Sequence, residues 1–170
     1  MPLNIRRVYA LRVISYILLV IFALALQNAL PTIYHVRPLL LIMLTALAAM
    51  FQGPHTGGIT GFFCGLLADW LSVYSVVYYT VALMLLGALL GRLVDYGIRK
   101  TIFSAYFVTI ITLAVTQFIY FVFFLFIPRR AGVHVLVDIT TPEILYSLAL
   151  LPIFYFPVRT VYRRTRLKKG

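Results

Sequence analysis

Asp69 closes a run of glycines at four-residue intervals, Gly57-x-x-x-Gly61-x-x-x-Gly65-x-x-x-Asp69, whose surroundings include Ile59, Phe62, Phe63, Leu66, Leu67 and Trp70. Residues four apart stack on one face of a helix and drift only about 40° per step. That face is therefore a strip of glycines ending in a negative charge. The strip admits a neighbouring helix backbone. A carboxylate at membrane depth is costly and faces the bundle interior, a partner or a water-filled cavity. It either caps or pairs with a polar group at a buried helix junction or touches a ligand. Because Ser72 and Tyr74 follow soon after, hydration near the helix end is the plainer alternative.

Few other residues offer chemistry. The remaining acids are Asp95, Asp138 and Glu143. An intramembrane protease would need paired aspartates, but Asp95 lies among Arg92, Arg99 and Lys100 and is three residues from Arg92, close enough to pair with it. Thr141 as cap, Pro142 in the first turn and Glu143 beside it form a helix-start signal, which gives Glu143 a structural role. His35, His55 and His134 are scattered without metal-ligand spacing, and no phosphate loop, nucleophile elbow or dinucleotide fingerprint occurs. Cys64 reads as a small packing residue. Thr109, Thr112, Thr116 and Tyr120 form a polar stripe that suits hydrogen bonding between helices or a substrate site, with Gln117 beside it. The expectation is a chain without catalytic residues, cofactor or metal.

The elements that carry these residues belong in a membrane. Of the 170 residues 63% are hydrophobic and 11% charged, against about 25% charged in soluble domains. The mean hydropathy is +1.01. Six spans are expected, at 13–30, 38–52, 57–72, 76–93, 102–127 and 142–161, with a basic tail at 163–170. Nothing is left for a soluble domain. Ala23-Leu24-Ala25 resembles a signal cleavage site, but apolar character continues past it, so the first span is expected to be an uncleaved anchor. The second and third spans are short and share the connection Gln52-Gly53-Pro54-His55-Thr56-Gly57-Gly58, which suggests a tight or partly re-entrant hairpin. Pro38 belongs to the first turn of the second span. Gly87 and Gly91 make a second small-residue contact on the fourth. Pro152 and Pro157 should kink the sixth.

The net charge of +11 belongs to membrane orientation and anionic lipid, not to nucleic acid. With six spans, Arg6, Arg7, Arg12, Arg92, Arg99, Lys100, Arg159, Arg163, Arg164, Arg166, Lys168 and Lys169 share one side. Only Arg37, Arg129 and Arg130 face the other. Both termini are then cytoplasmic.

Several of these residues, taken in order, resemble the rod shape-determining protein MreD family. They are Arg37-Pro38-Leu39-Leu40, Gly53-Pro54, Gly57…Gly61-Phe62…Gly65-Leu66-Leu67…Asp69, Gly87…Gly91-Arg92-Leu93 and Tyr146…Pro152…Phe156-Pro157…Arg159. The resemblance spans nearly the whole chain. Leu39 departs from it, standing where many members carry an acid. The loop after the third segment also lacks the family's frequent glycine. The resemblance implies a non-enzymatic inner-membrane subunit of the bacterial elongation machinery. Its partner would be an MreC-like bitopic protein, and it would help couple MreB filaments to RodA and its partner transpeptidase in peptidoglycan synthesis. The family is also similar to the six-helix substrate-binding subunits of energy-coupling-factor transporters. The second reading is therefore a small-molecule-binding subunit of a membrane transporter.

The charge bias makes a topological prediction. Alkaline phosphatase fused after Gly170 should be inactive, and the same reporter near Val133 active. Activity at Gly170 would overturn the orientation.

Overall fold

The computed structural model describes residues 2–30, 37–72, 77–97, 100–126 and 133–165. Among them are six helices and no strand: α1 Pro2–Ala29, α2 Leu40–Gln52, α3 Pro54–Leu71, α4 Tyr78–Asp95, α5 Ile102–Tyr120 and α6 Val133–Thr165. α5 continues into a π-helical stretch, Phe121–Phe126. The segment boundaries expected at 31–36, 73–76, 98–99, 127–132 and 166–170 lie outside the described residues, with Arg99, Arg129, Arg130, Arg166, Lys168 and Lys169. The side chains of Arg6, Arg7, His134 and Asp138 lie outside them as well.

Four helices are long and apolar enough to cross a membrane, through Ala10–Ala29, Tyr78–Asp95, Ile102–Phe123 and Thr140–Arg164. The chain is thus a multi-pass membrane protein by the length and composition of its helices. Each turns one apolar face outward and another inward. On α1, Tyr16, Leu19 and Ala23 are buried, while Ile14, Ile17, Leu18 and Ile21 are exposed. Such outward faces suit lipid, which satisfies apolar side chains as well as a protein core does.

α2 is different. Its 13 residues extend about 20 Å at 1.5 Å per residue, short of a hydrocarbon core. Residues 40–51 are all buried, and α2 touches every other helix. A helix that is apolar all round belongs inside. α2 is the post around which the other five pack.

Two junctions fix its ends. At the C-terminal end Gly53 alone separates α2 from α3: its N–H donates to the Ala49 carbonyl and its carbonyl accepts from the Gly57 N–H. This takes φ of 85° and ψ of −172°, backbone that only glycine adopts cheaply. Pro54 then occupies the first turn of α3, so that helix begins three residues earlier than the expected span. At the N-terminal end the helix starts at Leu40. Pro38 is buried ahead of the helix and not in its first turn, because the Leu39 N–H is drawn across to Ser147 Oγ of α6 at 2.8 Å.

α6 departs most from expectation. It begins at Val133, so Thr141, Pro142 and Glu143 are interior residues and not a helix start. The physical reason is that proline's fixed φ is compatible with a helix. Its two costs in the interior, a missing N–H and a ring that crowds the carbonyl four residues back, are absorbed by packed neighbours in a membrane bundle. The helix runs on through Pro152 and Pro157 as well.

Candidate functional site

The glycine strip of α3 lies against α4, antiparallel and in register. A Cβ placed on Gly57 would stand 2.5 Å from the Gly87 carbonyl oxygen, and one on Gly65 would stand 2.5 Å from the Tyr79 carbonyl oxygen. One on Gly61 would collide with the Leu83 carbonyl, and one on Gly91 with the Gly53–Pro54 backbone. Five glycines of two helices thus allow backbone to meet backbone along the whole pair. α2 closes the third side, since a Gly57 Cβ would also stand 2.7 Å from that of Ala49, and Thr45 Cγ2 lies 3.2 Å from the position for Gly87. Gly58, one position around the helix, is not part of this contact. A Cβ there would meet Ala88 at an ordinary 3.5 Å.

Asp69 ends the strip, and its carboxylate points at the first turn of α4. Oδ1 accepts from the Tyr79 N–H at 2.8 Å, and Oδ2 accepts from the Thr80 N–H at 2.8 Å and from the Thr80 hydroxyl at 2.6 Å. These are N–H groups that a helix start leaves without partners. The residue preceding α4, Val77, has no side-chain oxygen to supply. Asp69 therefore caps a helix other than its own, and its charge also complements the positive end of the α4 dipole. Of the fates open to this acid, the geometry is that of a cap at a helix junction.

The same device recurs. Ser147 Oγ accepts from Leu39 N–H at the uncapped start of α2 and donates to the Glu143 carbonyl at 2.7 Å. Lys100 Nζ donates to the Phe51 carbonyl at 2.8 Å, at the end of α2, and lies 4.6 Å from the Tyr162 ring centre. Of α2, α3, α4 and α5, only α5 starts on a capping side chain of its own, Thr101, whose hydroxyl accepts from the Ser104 N–H.

The threonine stripe of α5 is buried, but two of its hydroxyls turn back into their own helix. Thr112 donates to Val108 and Thr116 to Thr112. The bond between helices is made by Tyr78, whose hydroxyl donates to the Thr116 carbonyl at 2.6 Å. A threonine hydroxyl in a helix reaches the carbonyl one turn back more easily than a neighbouring helix. Tyr120 stacks on Tyr79, with ring centres 5.9 Å apart.

The remaining expected residues are distributed around this hairpin. Arg37 is exposed, as are Arg92 and Asp95. Instead of facing Arg92, Asp95 turns an oxygen toward Gly53, 3.2 Å from the position of a Cβ there. Cys64 is buried in the α3 face that also carries the glycines. Glu143 has no first-turn role and accepts a hydrogen bond from Gln117 Nε2. Tyr78, Tyr79, Thr80, Lys100 and Ser147 were not singled out from sequence. The one available signal was negative: the starts of α2 and α4 carry no capping side chain of their own. Among the described residues no cluster of metal-binding side chains occurs. Compared with known proteins, no family model, curated protein or solved structure matches the chain.

Two predictions follow the geometry. Gly61→Ala should destabilise the fold by about 1–3 kcal/mol, the range for overpacking against atoms that cannot move aside. Gly58→Ala should be near neutral, and thermal melts in detergent compare the pair; equal effects would refute the close contact. Asp69→Asn keeps one acceptor and should cost about 1 kcal/mol, on the scale of a lost cap. Asp69→Leu should cost at least about twice that, since it strands two N–H groups. A leucine variant as stable as wild type would remove the carboxylate from the junction.

Proposed function

We propose that this chain is a non-enzymatic scaffold subunit of the bacterial inner membrane, serving the cell-elongation machinery as an MreD-like partner of an MreC-like bitopic protein. In this reading all six helices cross or enter the bilayer and both termini are cytoplasmic. The assembly connects through that partner to MreB, RodA and the associated transpeptidase.

One observation carries the reading. Part of the residue set that carries the MreD resemblance, Gly53-Pro54, Gly57, Gly61, Gly65, Asp69, Gly87 and Gly91, lies at the close contact of α3 with α4. Their placement suits a protein whose work is to hold a shape. Because the glycine face is filled by α4, a partner would meet the outward apolar faces, such as that of α3 with Ile59, Phe63 and Trp70 exposed. The alternative of a small-molecule-binding subunit draws on a different observation, the partly buried Gln117–Glu143 pair between α5 and α6.

The experiment is co-purification with a tagged MreC-like protein, together with cell width in a rod-shaped host that depends on this chain. Wild type should co-purify and keep cells narrow. Asp69→Leu should reduce recovery of the complex and widen cells, with Asp69→Asn in between. Normal assembly of both variants combined with lost uptake of a defined small molecule would replace the scaffold with the transporter reading.

A further inference from the structure

We draw no further inference here: the strongest candidate, the side-chain cluster at the C-terminal end of α2 where the Tyr16 hydroxyl and the Gln52 amide are buried without hydrogen-bond partners beside Arg12, carries nothing, because those atoms are closed off from the surface and nothing in the structure shows what would reach them.

Discussion

A helix that begins or ends among apolar groups leaves backbone N–H and C=O groups that no water can reach, and some other part of the chain must satisfy them. That constraint governs this protein. α4 begins on Val77 and α2 on Leu39, and neither has a capping side chain. Asp69 of α3 supplies the first cap and Ser147 of α6 part of the second, while Lys100 serves the far end of α2. Each bond ties two elements distant in sequence, so the same interactions that complete the helices also fix how the helices stand together. Removing one would disturb a helix and a tertiary contact at once.

The close approach of α3 and α4 is the geometric condition for the most demanding of these bonds. A carboxylate on a three-atom reach can cap a neighbouring helix only if the two backbones nearly touch. Gly57, Gly61 and Gly65 remove the side chains that would hold them apart, and Gly87 and Gly91 do so from the other side. Dispersion between closely packed backbones is the main attraction available, because lipid offers apolar side chains no less than a neighbour does. α2 then needs neither length nor a polar face. It is sealed by the surrounding helices and meets only their buried surfaces.

The polar side chains within the bundle divide into two kinds. Asp69, Thr80, Ser147 and Tyr78 have partners that belong to other helices and make a closed set of contacts. Gln117 donates to Glu143 and keeps its Oε1 buried without a partner. The first kind describes how the bundle holds together. The second, Gln117 Oε1 together with buried polar atoms of Tyr16, Gln27, Gln52 and Thr109, has no hydrogen-bond partner among the described residues.

The residues alone determined that this is an all-helical membrane chain, because apolar runs of span length and charge confined to their ends leave no other reading. The four-residue glycine spacing specified one helix face of α3, since that periodicity is a property of a single helix. They did not determine what met that face: the partner is α4 of the same chain, in a register that no local pattern encodes. The start of α6 was misread, because Thr141-Pro142-Glu143 carries a local cap signature while the helix is held from Val133 by tertiary packing. The partners of Asp69, Ser147, Lys100 and Glu143 were equally beyond reach. A hydrogen bond spanning ten or more residues depends on where two backbones come to lie in space, and only the assembled bundle decides that.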